Sequence, residues 1–225
     1  MLSAPVSITQ STHVVSDAGS GRSFIAVFDD QYYAPLIQAM SERIAERARC
    51  VVIKTPVIVA DNWRAVASDL SSLLISLGIR QSSFIGVGAG AALVEDIALT
   101  SPKSVRSLIV LDSPLRPHPS IWERLIDALE RRLPFGLPLR LASRGFNVRS
   151  YAHRLRCPLL TVATKRASIF VRSELQMLGR LAPTSWYVTL PESGPDEEAR
   201  ELGNIVVTFQ DAPAKCPQKN RQEAV

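Results

Sequence analysis

Gly86-Val-Gly88-Ala-Gly90 is the segment of this chain with the clearest chemical outline. The spacing G-x-S-x-G makes a sharp turn between a buried strand and a helix. It holds its serine at strained, positive-φ angles with the hydroxyl exposed for attack on an acyl carbon. Gly86 and Gly90 stand at the flanks, Phe84 and Ile85 close an apolar run, and Ala91-Ala-Leu-Val-Glu-Asp-Ile-Ala98 begins a helix rich in small residues. The attacking position itself is Gly88, which carries no nucleophile. Glycine lacks the Cβ that clashes at positive φ, an advantage of about 1 kcal/mol over serine there, so the turn is expected to outlast the loss of its chemistry.

Acyl transfer also needs a base and a group that orients it. His13 lies before the core, His118 follows Asp112, and His153 stands just before Cys157. Each reads as a structural or solvent-facing histidine. Ser82 and Ser83 precede the strand, at the end opposite the turn, which disfavours them as nucleophiles. Asp112 reads either as a displaced acid or, better, as a hydrogen-bonding residue of the turn before Pro114. Cys50, Cys157 and Cys216 are odd in number and far apart, and they suggest neither a disulfide framework nor a metal site. The same glycines also satisfy G-x-G-x-x-A, with Asp112 at the spacing of about 20 residues that dinucleotide binding uses. Against that alternative, the motif sits mid-chain, whereas such a fingerprint opens its fold. No cofactor is expected.

Positioning this turn requires a sheet. Apolar runs at 23–28, 50–54, the one that ends in Phe84 and Ile85 before the turn, 107–112, 158–163 and 185–190 read as buried strands. Between them, Leu36, Met40, Ile44 and Ala45 recur at helical spacing, as do Trp63, Val66, Leu70, Leu73 and Leu74. Further helices are expected near 174–181 and, as a short element, near 197–209. Buried strands alternating with helices imply an α/β fold, a mostly parallel sheet covered on both faces. After Pro114 the pattern becomes the amphipathic stretch 122–132 and a Pro-rich connection, so residues 114–156 read as a short cap or lid inserted into a single domain spanning 1–210. Residues 211–225 read as a polar, disordered tail.

This order resembles the α/β-hydrolase superfamily over almost the whole chain. The resemblance places that family's catalytic acid near Arg166 and its histidine near Pro195, where a guanidinium cannot orient an imidazole and a proline cannot shuttle a proton. It places the oxyanion loop at Phe28-Asp-Asp-Gln31, whose carboxylates would repel a developing oxyanion. Among catalytically degenerate members, the chain is most similar to the N-myc downstream-regulated (NDR) family. The shared features are the serine-free turn, Asp112-Ser-Pro-Leu115, Trp122, Cys157-Pro158, Leu181-Ala-Pro-Thr184 and Glu192-Ser-Gly194. That resemblance implies a non-enzymatic protein acting in stress or differentiation signalling through protein or lipid contacts. A residual esterase with an atypical catalytic set is the alternative.

Composition agrees with a globular domain: 225 residues, 46% of them hydrophobic, with a net charge of +5. No apolar run approaches the roughly 20 residues of a membrane span and no signal-peptide pattern opens the chain, so a cytoplasmic location is expected. The positive charge concentrates between Arg116 and Arg180. Arg124, Arg131, Arg132 and Arg140 are the candidate contacts for an anionic lipid or a protein partner. No nucleic-acid-binding motif is visible.

Overall fold

The computed structural model describes residues 12–29, 33–56, 63–113, 151–164, 167, 169–190 and 195–211. In chain order the elements are β1 (His13–Ala18), β2 (Ser23–Phe28), α1 (Ala34–Ala45), β3 (Arg49–Lys54), α2 (Trp63–Ser76), β4 (Ser82–Val87), α3 (Gly90–Thr100), β5 (Val105–Leu111), β6 (Leu159–Ala163), α4 (Ile169–Leu181), β7 (Ser185–Thr189) and α5 (Pro195–Asp211). They build one seven-stranded sheet in the order β1-β3-β2-β4-β5-β6-β7. Every pairing is parallel except that of β1 with β3. The strand–helix alternation in the sequence dictates this, because a parallel connection needs a crossover and the helices supply it.

The apolar runs are continuous, not alternating, because both faces of the sheet are covered. Ile25 and Val27 of β2 point to one side and pack in a cluster with Leu70 of α2, Leu93 of α3 and Leu178 of α4. Phe24, Ala26 and Phe28 point to the other and join Met40 of α1 with Leu202 and Phe209 of α5. Strand periodicity thus divides one hydrophobic segment between two cores. Among the described residues, no helix is long and apolar enough to cross a membrane.

Several boundaries differ from the sequence expectation. Ser82 and Ser83 do not precede β4 but open it, fully buried. Helix α5 is not short: it runs 17 residues and takes in Asp211, which the sequence assigned to the tail. Its amphipathic stripe, Ala199, Leu202, Val206 and Phe209, is buried, and that burial carries a helix whose average composition is polar. Residues 212–225 lie outside the described residues, as does most of the expected cap. The end of that cap segment is described, and there Ala152 and Leu155 are buried in the same core as α3 and α4.

Candidate functional site at the end of strand β4

In a parallel sheet the strands' carboxyl ends share one edge, and ligand crevices form there. Here that edge gathers Asp29 after β2, Gly88 after β4, Asp112 after β5 and Thr164 after β6. Gly88 adopts φ +58°, the left-handed region that an elbow serine would have to occupy. Its amide donates to the Leu111 carbonyl at 3.0 Å, which ties the turn to β5.

The flanking glycines act differently. A Cβ on Gly86 would lie 2.3 Å from the Ala91 Cα and 2.5 Å from the Val94 Cγ2. One on Gly90 would lie 2.6 Å from the Val27 carbonyl oxygen. Those two positions let α3 sit directly on the sheet. At Gly88 the space is open by comparison: a Cβ would meet the Asp29 Oδ1 and the Tyr33 Cε2, each at 3.5 Å, which is ordinary contact.

Asp29 is therefore the carboxylate that borders the empty nucleophile position, and it is buried. Asp30 and Gln31 of the same loop lie outside the described residues. Tyr33, whose ring covers the turn, carried no signal in the sequence because it precedes the first periodic residue of α1.

On the other flank, Asp112 is buried and holds φ +47°, a conformation that aspartate tolerates better than most residues. Its carboxylate accepts from the Thr164 amide at 2.7 Å and from the Thr164 hydroxyl. The acid thus clamps the ends of β5 and β6, a longer-range role than the bond within its own turn that the sequence suggested, and is turned to the sheet instead of to a ribose or an imidazole. Thr164 is a partner the sequence did not reveal. Asp112→Ala would remove the acceptor of both Thr164 bonds and is expected to cost about 2 kcal/mol, while Asp112→Asn, which keeps an acceptor, costs less than half of that. Urea denaturation of the two variants checks the order.

No histidine among the described residues reaches Gly88. His13 opens β1, and its partner Lys54 ends β3, so it shares the elbow edge. Three strand spacings separate β1 from β4, which is roughly 14 Å at about 4.8 Å each. His153 lies at the opposite edge, before β6. His118, the acid position Arg166, and the basic residues Arg124, Arg131, Arg132 and Arg140 fall outside the described residues. Pro195, at the family's histidine position, is the first residue of α5.

Other nucleophiles are also misplaced. Ser82 and Ser83 sit at the start of β4, a full strand from the turn, and Ser83 accepts a hydrogen bond from the Ser107 hydroxyl at 2.8 Å. Burial pushes the Cys50 thiol up to about 12 and the Cys157 thiol up to about 11, so neither forms a thiolate near neutral pH. Both begin strands or the approach to one, at the far edge. Among the described residues no group of histidine, cysteine and acidic side chains is arranged to hold a metal ion.

No protein-family model matches the sequence, and no curated protein matches it. Solved structures do share its architecture. An esterase from Thermogutta terrifontis is similar over 91% of this chain and 93% of its own, at 16% identity and a TM-score of 0.66. An esterase from Exiguobacterium antarcticum gives 13% identity over 89% and 95%, with a TM-score of 0.67. An enol-lactonase from Burkholderia xenovorans gives 15% over 89% and 96%, with a TM-score of 0.63. The fold is that of the α/β hydrolases, as the sequence implied. Likeness at this identity speaks for the fold alone.

Proposed function

We propose that this chain uses the α/β-hydrolase fold for binding and not for serine-based hydrolysis, contacting a small ligand, a protein or a lipid in the manner of NDR-like proteins. The observation that supports this reading is Gly88: the turn keeps its positive φ and its close-packed flanks, yet offers no side chain, and no described histidine stands within reach. Without nucleophile and base, the covalent route to an acyl-enzyme has no first step. Asp29 beside the turn would oppose a developing oxyanion and leaves the crevice suited to neutral or cationic groups. The lipid role assigned to Arg124, Arg131, Arg132 and Arg140 belongs to the same proposal.

A second reading is favoured by the buried carboxylates of Asp29 and Asp112 on the strands that flank β4, and by the company of the fold, since the similar structures are esterases and other hydrolases. In it, Asp29 would act as a general base toward water. One experiment separates the two. Purified protein is assayed with p-nitrophenyl acetate and an alkyl fluorophosphonate, beside Gly88→Ser and Asp29→Asn. The binding reading expects no turnover and no covalent label on the unmodified chain. It also expects a folded Gly88→Ser variant, about 1 kcal/mol less stable, that still lacks turnover for want of a base. Turnover by the unmodified chain that Asp29→Asn abolishes would establish the second reading instead.

A further inference from the structure

An open groove of about 880 Å³ lies at the edge of the sheet opposite Gly88. Its walls come from the end of α3 and the approaches to β5, β6 and β7: Leu99, Leu155 and Pro183 supply apolar surface, and His153, Arg154 and Arg156 supply the polar groups. Among the described residues, no aspartate or glutamate lines it. Arg49 and Arg43, by contrast, each meet an acid, Asp17 at 2.6 Å and Glu46 at 2.5 Å. Among the described residues, neither Arg154 nor Arg156 has an ion-pair partner. Arg154 is instead held over the Tyr151 ring, 5.5 Å from its centroid, which limits the freedom its side chain would lose on binding.

We propose that this groove binds a phosphate monoester, with Arg154 and Arg156 on the phosphoryl oxygens and the apolar wall against the organic group. Planar guanidinium forks match a phosphate's oxygens in pairs and carry fixed charge, which an isolated lysine does not reproduce. Two of them beside an imidazole, in a space sized for a small organic molecule, favour a dianion over a carboxylate. The net charge of +5 draws such anions toward the surface. The proposal stands apart from the reading of the elbow, since the two sites lie at opposite ends of the strands.

Titration calorimetry with phenyl phosphate tests it, with benzoate as the carboxylate control and vesicles containing phosphatidic acid or only phosphatidylcholine as the lipid arm. Phenyl phosphate is expected to bind at least tenfold more tightly than benzoate, with affinity falling as salt rises. Arg154→Gln/Arg156→Gln should lose at least tenfold, and Gly88→Ser should lose nothing. The substituted side chains are exposed, so an unchanged melting curve confirms that the double variant is folded. Binding to phosphatidic acid vesicles alone, lost in the double variant, would assign the phosphate to a lipid headgroup; binding to phenyl phosphate assigns it to a soluble ester. Absence of binding in both arms, equal binding of benzoate, or full affinity in the double variant overturns the site.

Discussion

Gly86→Ala is expected to destabilise the fold by about 3 kcal/mol or more, whereas Gly88→Ala, two residues on, costs about 1. The difference comes from what each new methyl would meet. At Gly86 it would stand 2.3 Å from the Ala91 Cα, backbone that cannot turn aside, and 2.9 Å from the Ala91 Cβ. To relieve that overlap α3 must lift from the sheet, and with it Leu93, Val94 and Ala98, all fully or nearly fully buried against β2, β4 and β5. Such a shift opens gaps in a core packed to the density of a crystal, so the cost exceeds one bad contact. At Gly88 the nearest atoms are 3.5 Å away, and only the backbone angle is unfavourable. Gly90→Ala, 2.6 Å from the Val27 carbonyl oxygen, should behave like Gly86→Ala. Urea denaturation of the three variants reads the order directly. Equal losses at Gly86 and Gly88 would mean that α3 yields easily, and the close approach would carry no weight.

That contrast explains why the fold was more legible in the sequence than the site. Continuous runs such as Phe24–Phe28 and Leu108–Leu111 can be buried on both faces only in a covered parallel sheet, and the helical spacing of Leu36, Met40 and Ile44 leaves little choice about what covers it. The amphipathic stripe of α5 was harder to follow to Asp211, because its polar residues dominate the composition. The site depends on contacts between segments far apart in the chain. Thr164 meets Asp112 across 52 positions, and Tyr33 meets the turn from the loop before α1. Neither residue has a local pattern that announces a partner. Asp29 was visible as a carboxylate at the wrong place for an oxyanion hole, but its approach to the position of the missing side chain is a property of strand order, β2 beside β4, and not of sequence spacing.

Glu95 was equally hidden, and it carries the second large expectation. It follows Val94 on α3, fully buried, and among the described residues neither carboxyl oxygen has a hydrogen-bond partner. Burial alone lifts its pKa well above the usual carboxylate value of 4.5, because the charged form is deprived of water. The sign of the effect on stability follows. The folded state binds the proton more tightly than the unfolded chain, so Glu95 does least harm below about pH 4.5, and stability falls as the pH rises from there toward the folded-state value. Half-buried Asp96, raised by desolvation as well, pulls in the same direction, and the exposed Asp17, lowered chiefly by its hydrogen bond with Arg49, pulls the other way. Comparison with variants at Glu95 alone removes both. Glu95→Gln should flatten the decline of unfolding free energy between about pH 4.5 and 8, and Glu95→Met, which also removes the unpartnered polar atoms, should be more stable than the parent near neutral pH by about 2 kcal/mol. Chemical denaturation at pH 5 and pH 8 decides it: a Met variant that is less stable at both would mean the carboxylate has a partner that holds the elbow helix in place. A gain at pH 8 that shrinks at pH 5 would identify Glu95 as a cost the fold carries, on the helix that begins at the glycine turn.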